Sequence, residues 1–178
     1  MEIILRDILP SDAPSLAHIL IEANEHAFRG LVPDRCLEFS EAESAANWER
    51  FFAEGLPAGD FMIAAINPNG EMVGYIWGGP NTKELEYNSE LRQISVLPAY
   101  QGQGIGRRLV CQLAQRLLNQ NLHNMRVEVL GVNPNRPFYE RLGGTFVSQQ
   151  PYDWDGVILP MYVYGWNDIR SLTNQCIG

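Results

Sequence analysis

The order of strand-like and helix-like segments predicts an α/β chain: a mixed, largely antiparallel central sheet flanked by helices, in one domain. Three observations carry that expectation. Two apolar runs are joined at residues 67–70 by Asn-Pro-Asn-Gly, whose Asn-Gly step marks a hairpin. A strand-like run reaching Leu97 passes through glycines into an amphipathic helix and then another strand, a crossover unit. The 178 residues, 46% of them apolar, are enough for one core and leave little room for a second.

The elements follow in order. Residues 3–8 read as a first strand. Asp12 then offers a cap and Pro14 suits the first turn of a helix running to about Ala27, with Leu16, Ile19, Leu20 and Ala23 as its apolar stripe. Gly30 and Pro33 make residues 28–39 irregular. A second helix over 40–54 turns Ala45, Trp48, Phe51 and Phe52 inward and breaks at 55–59. Residues 61–66 and 72–77 form the hairpin, and 90–97 the next strand, which Pro98 ends. From Gly104 to about Asn119, Ile105, Leu109, Leu113 and Leu117 recur in steps of four along one helical face. Residues 125–130 are a further strand, and Pro137 opens a short helix stopped by Gly143-Gly144. Residues 145–148 and 157–164 form a last antiparallel pair around Tyr152-Asp-Trp-Asp-Gly156. The core is expected over 1–164 and a C-terminal extension over 165–178, where residues 166–172 cover the core or meet another subunit.

Composition narrows the function. A net charge of −8 argues against nucleic acid as a partner. No apolar stretch approaches a membrane span, and no leader pattern opens the chain, so the cytoplasm is the expected location. Cys36, Cys111 and Cys176 are too scattered for a disulfide framework, and Cys111 reads as a small buried residue of its helix. His18, His26 and His123 have no metal-ligand spacing, so no metal is expected. No serine sits in a nucleophile elbow.

The chemistry concentrates at residues 90–109, reading ELRQISVLPAYQGQGIGRRL. Gly102, Gly104 and Gly106 stand where a strand gives way to a helix. Backbone amides there, together with the helix dipole, suit a phosphate or pyrophosphate. The lysine and following Ser/Thr of a P-loop are missing, and the even glycine spacing fits a dinucleotide fingerprint poorly. A plain tight connection is the other reading of the same glycines.

Residues 90–109 resemble the acetyl-CoA motif of the GCN5-related N-acetyltransferase (GNAT) superfamily, Gln/Arg-x-x-Gly-x-Gly/Ala, here Gln101, Gly104 and Gly106. The preceding Ile94 to Tyr100 is similar to that family's strand and splayed turn. Asn133-Pro-Asn-Arg-Pro-Phe-Tyr139-Glu-Arg-Leu-Gly-Gly144 resembles its Asn-x-x-x-x-x-Tyr-x-x-x-Gly segment. The resemblance implies the family fold, acetyl-CoA as acyl donor, and amides of Gln101, Gly102, Gln103, Gly104, Ile105, Gly106 and Arg107 around the pyrophosphate. It further implies that the backbone of Ile94, Ser95 and Val96 pairs with the pantetheine arm, that Asn133 binds the same arm, and that Tyr139 protonates the departing thiolate or hydrogen-bonds to its sulfur. Read without the family, Tyr139 packs a short helix and Asn133 is a turn residue. Arg107 and Arg108 are phosphate ligands or exposed cations.

Glu90 is the candidate base, on the argument that strand alternation puts it on one face with Arg92, Ile94 and Val96; an ion pair with Arg92 is the alternative. Glu25, Glu84 and Glu86 lie in segments that could rim an acceptor pocket. Phe28, Trp77, Tyr87, Tyr152 and Trp154 offer an aromatic wall, and Asp153 and Asp155 offer charge for a cationic amine, unless 152–156 is simply a solvated turn. The expected reaction is direct acetyl transfer, without a Cys111 acyl intermediate, to a primary amine of a small molecule or a peptide N-terminus. The protein would be a monomer or homodimer. The rival is a non-catalytic acyl-CoA-binding or sensing domain.

Overall fold

The computed structural model describes residues 2–83, 86–174 and 176; Glu84, one of the candidate pocket residues, lies outside them. The elements are β1 (Ile4–Asp7), α1 (Ala13–Phe28), α2 (Glu41–Glu54), β2 (Phe61–Ile66), β3 (Met72–Pro80) and β4 (Ser89–Val96). They continue with α3 (Ile105–Asn119), β5 (Met125–Leu130), α4 (Arg136–Arg141), β6 (Thr145–Trp154), β7 (Val157–Trp166) and α5 (Arg170–Thr173). Among the described residues, seven strands form one sheet in the order β1-β2-β3-β4-β5-β7-β6. Neighbours run antiparallel except β4 and β5, which the α3 crossover makes parallel.

Local chemistry explains several boundaries. In the β2–β3 turn the Asn67 side-chain oxygen accepts from the Asn69 and Glu71 amides at 3.0 and 2.9 Å, and Gly70 takes φ +84°. Ser40 Oγ accepts the Glu43 amide at 3.3 Å and so caps α2. Asp12 does not cap α1 with its side chain. Its carboxylate instead accepts from the Leu9 amide and pairs with Arg6, fixing the turn that precedes the helix.

The sheet has a helical layer on each face. Leu109, Leu113 and Leu117 of α3 pack with Ile76, Leu91 and Val127 in the main core, joined by Ile169 and Leu172. On the other face Leu16 and Ile19 of α1 meet Met62, Ala64 and Tyr75, while Trp48, Phe51 and Phe52 of α2 are only half-buried. A third cluster, Ala27, Phe28, Val32, Cys36 and Leu37, packs under Trp154, Val157 and Leu159.

Three sequence expectations are corrected. Residues 152–154 are strand rather than turn, because Asp155 and Gly156 (φ +50° and +78°) close a two-residue hairpin, with Asp153 accepting the Gly156 amide at 2.6 Å. A β-bulge interrupts the alternation of β4: Trp77 faces Gln93 and Gly78 faces Leu91, so Arg92 has no opposite residue. Leu91, Ile94 and Val96 therefore belong together in the α3-side core, and Glu90 does not share their face. Cys111 is buried as expected but is disulfide-bonded to Cys176, with Cα atoms 5.6 Å apart across 65 residues. The sequence hides that meeting because it depends on α5 packing against α3. β7 itself runs on to Trp166, and Trp166, Ile169 and Leu172 are buried against the core, one of the two placements expected for residues 166–172.

Candidate active site

Two parallel strands that start paired and then separate make the site. β4 and β5 pair at Glu90–Arg126 and Leu91–Val127 and nowhere further along. Beyond Leu91 the β4 edge facing β5 is open through Ile94, Ser95 and Val96, at the mouth of a cavity of about 540 Å³. The space is within the range of small-molecule sites.

One wall is the connection from β4 to α3. Gly102 and Gly104 sit at φ +72° and +81°, a left-handed backbone that glycine adopts without strain. The first helical bond of α3 runs from the Arg108 amide to the Gly104 carbonyl at 3.1 Å. The amides of Gly102, Gln103, Gly104, Ile105 and Gly106 have no backbone acceptor, as at any helix start. The Gln101 side chain serves the turn itself, donating to the Val96 carbonyl at 2.9 Å, and Gln103 donates to Ala99 at 3.0 Å. Tyr100 lines the cavity and accepts from Asn67 at 3.0 Å. Arg107 also lines it, whereas Arg108 reaches away to the Ile3 carbonyl at 2.7 Å and joins the helix to β1.

The opposite wall comes from α4 and the turn before it. The Asn133 side-chain oxygen accepts the Asn135 amide at 2.8 Å, which opens α4, and both residues line the cavity. Phe138 packs on Gly106, where a Cβ would stand 3.2 Å from its ring. Arg141 and Leu142 follow one turn later on the same face and also line the cavity. Phe138, Arg141 and Leu142 were not singled out in the sequence as site residues, although the spacing 138, 141, 142 is a helical face. Tyr139 is 8% exposed, stacks on Tyr164 at 6.1 Å and borders the cavity. Burial pushes its hydroxyl well above the usual tyrosine range.

Glu90 is not among the cavity-lining residues. Its oxygens are held by Arg92 at 2.7 Å and Arg126 at 3.2 Å. Arg92 extends the network to Asp60 at 3.0 Å, Asp60 accepts the Trp77 indole N–H at 2.7 Å, and Arg126 also meets Glu128. The ion pair with Arg92, left open in the sequence, is present. Asp60 and Arg126 were not anticipated. Gly79, whose missing Cβ leaves room for Asp60, is the one local sign of that network.

The aromatic residues do not form one wall. Phe28 meets Trp154 edge-on at 5.4 Å, and Cys36 Sγ lies 3.6 Å from the Trp154 carbonyl. Trp77 belongs with Phe51 and Trp48 of α2, Tyr87 is buried against Asn167, and Tyr152 faces solvent. Asp153 closes its own turn and Asp155 pairs with Arg35 at 3.3 Å. Glu25 pairs with Arg29 at 2.5 Å. On the α1 side the cavity is lined by Ala23, Asn24, Ala27 and Phe28. Among the described residues no three His, Cys, Asp or Glu side chains gather to hold a metal, and no helix is long and apolar enough to cross a membrane.

A strand pair splayed beside a glycine-lined helix start is a geometry that can be compared with known proteins. The family model of the acetyltransferase (GNAT) family matches residues 20–144. This chain belongs to the GNAT family. It is 26% identical over 170 residues to YuaI, an uncharacterized N-acetyltransferase of Bacillus subtilis (strain 168), covering 94% of this chain and 95% of that one. A GCN5-related N-acetyltransferase from Rhodopseudomonas palustris shares the fold at TM-score 0.71 and 19% identity, covering 93% and 95% of the two chains. The PaiA N-acetyltransferase of Thermoplasma acidophilum, solved with coenzyme A, superimposes at TM-score 0.66 and 17% identity, covering 91% and 98%.

Proposed function

We propose that this GNAT protein transfers acetyl from acetyl-CoA directly to a primary amine of a small molecule or a peptide N-terminus. One observation carries the reading: the open β4 edge, the amides of the glycine turn and the buried Tyr139 border a single cavity. Their chemistry fits acetyl-CoA. Five amides without backbone acceptors at a helix start suit a pyrophosphate, with Arg107 and Arg141 adding charge. The unpaired edge at Ile94, Ser95 and Val96 suits an amide-bearing pantetheine arm, with Asn133 across from it. The Thermoplasma relative, solved with coenzyme A, supports the same assignment.

In this reading the cavity holds thioester and amine together so that the nitrogen attacks the carbonyl carbon. The C–N bond forms, the C–S bond breaks, and Tyr139 gives its proton to the leaving thiolate. A tyrosine hydroxyl holds its proton throughout the neutral range, and burial makes this one a weaker acid, so its proton moves only as negative charge builds on the sulfur. The proton lost by the amine passes to water in the open cleft. Glu90 acts as a positioning residue, tying β4 to Arg126 of β5 at the point where the strands begin to part.

A second reading, the acyl-CoA sensor, draws on one fact: none of the described cavity-lining residues is a carboxylate that could serve as base. Acetyl-CoA-dependent thiol release across polyamines, amino acids, aminoglycosides and peptide N-termini, with coenzyme affinity measured in parallel, separates the two. Release with a matching acetylated product supports transfer. Binding without product across that panel supports the sensor, and failure of both removes the acyl-CoA reading.

A further inference from the structure

Tyr75 of β3 is fully buried, yet its hydroxyl makes no hydrogen bond among the described residues. Its surroundings are apolar: Leu16 and Ile19 of α1, Met62 and Ala64 of β2, and Trp48 edge-on at 6.3 Å. An unmet buried donor works against the fold, and phenylalanine would fill the same space without that cost.

Ser95 of β4 lies beside this hydroxyl. The two residues are cross-strand partners in the β3–β4 register and so share a face of the sheet. Ile94 and Val96, which flank the serine, pack into the α3-side core, so Ser95 turns with Tyr75 toward α1. Burial raises the proton affinity of the phenol while the Ser95 side chain opposes it, the effect of a hydroxyl close to the phenol oxygen. Ser95 is itself only 8% exposed and lines the cavity on the open β4 edge.

The order of the two hydroxyls sets what the cavity meets. Tyr75 keeps its proton at neutral pH, and Ser95 Oγ is the neighbouring oxygen that can take the hydrogen bond. A serine hydroxyl accepts on one side and donates on the other. Once the phenol donates to Ser95, the serine proton is left for the cavity, in a chain whose links strengthen one another. Such a donor suits an oxygen of the ligand. Donated to the lone pair of the amine, it would block the attack.

We infer that Ser95 donates a hydrogen bond to the acyl carbonyl oxygen of a bound acyl-CoA, and that Tyr75 is the buried positioning residue that holds the serine in that orientation. The inference rests on the acyl-CoA reading of the cavity and applies to transferase and sensor alike. In transfer, the amine nitrogen bonds to the carbonyl carbon and the carbonyl π pair moves onto this oxygen. The hydrogen bond strengthens there, until the pair returns and the C–S bond breaks.

Acetyl-CoA and S-ethyl-coenzyme A, a thioether of the same carbon count without the carbonyl oxygen, are the probes, titrated by calorimetry with no amine present. Wild-type protein should bind acetyl-CoA about threefold to tenfold more tightly than the thioether. Ser95→Ala should lose most of that ratio and keep its affinity for the thioether, which reports an intact cavity. Tyr75→Phe should lose part of the ratio, while its melting temperature holds or rises because the unmet donor is gone. With an amine that the wild type acetylates, turnover of Ser95→Ala should fall at least about tenfold. Equal wild-type affinity for the two probes overturns the inference and leaves the acyl-CoA reading standing. A ratio that survives Ser95→Ala overturns it too, as does a Tyr75→Phe variant that melts lower and keeps the ratio. If neither probe binds, the acyl-CoA reading falls and takes the inference with it.

Discussion

The two ends of the cavity are made in opposite ways. The wall proposed to meet the phosphates is one continuous stretch, residues 94–107, and the donors it offers are backbone amides in a turn with glycines at positive φ. The side proposed for the acceptor is assembled from distant pieces: α1 supplies Ala23, Asn24, Ala27 and Phe28, and the β6–β7 hairpin pins that region through Phe28–Trp154 and Arg35–Asp155, pairs more than a hundred residues apart. A site of contiguous backbone is specified by local sterics, whereas one of converging side chains exists only once the sheet has closed. The first tolerates side-chain change and is sensitive to backbone change. For the second the order is reversed.

Tyr139→Phe tests the comparison most strongly, because Tyr139 on α4 belongs to neither end of the cavity and is proposed to act on the sulfur. Its turnover should fall by at least about 100-fold with coenzyme affinity unchanged, as measured by thiol release and titration calorimetry. Equal turnover would return Tyr139 to a packing role against Tyr164.

Glu90→Gln addresses the junction between the two ends. It removes charge from hydrogen bonds to Arg92 and Arg126, so stability should drop by about 2 kcal/mol in a denaturant melt. Turnover at saturating substrates, and the shape of its pH profile, should change little. Loss of an acidic limb from that profile in a folded variant would make Glu90 the base after all.

On the phosphate side, Gly104→Val asks a β-branched residue to hold φ +81°. The strain, about 1–3 kcal/mol, should shift the turn and weaken acetyl-CoA binding roughly tenfold or more. Trp154→Ala is the matching change at the acceptor end. Losing the edge-on contact with Phe28, worth about 0.5–1.5 kcal/mol, should raise the KM for the amine a few-fold and leave coenzyme affinity alone. Equal effects of the two substitutions on both ligands would dissolve the distinction between the ends.

The smallest expected effect at neutral pH concerns Tyr75 and Tyr139, both raised above the ordinary tyrosine range by burial, with Ser95 opposing the shift at Tyr75. A raised folded value means that the native state keeps its proton when the unfolded chain loses it. The resulting stability is fully present below the unfolded value of about 10 and declines as pH rises beyond it. Melting temperatures should therefore be insensitive to these groups at neutral pH and fall in strong alkali, less steeply once Tyr139 is replaced by Phe.

Much of the fold and half of the site could be read in the residues alone. Asn67 to Gly70 specified a hairpin, Ser40 a helix start, and the four-residue recurrence of Ile105, Leu109, Leu113 and Leu117 a buried helical face. The glycines from 102 to 106 marked a turn that could only be made with left-handed backbone. These are short-range effects, governed by φ/ψ sterics, capping and side-chain period, and they act before any distant contact forms. Other features were settled only by the tertiary structure. The bulge at Arg92, which separates Glu90 from the face of Ile94 and Val96, arises from pairing with β3. The engagement of Glu90 by Arg126 depends on β5 arriving alongside β4, and the Cys111–Cys176 bond on α5 settling against α3. Asp155-Gly156 was a hairpin signal in plain view, yet the long arm it closes is held by Phe28, Cys36 and Arg35 from the far end of the chain. A residue's local conformation is encoded by its neighbours in sequence, but its partner is chosen by which strands and helices pack together, and that choice is made by the whole core at once.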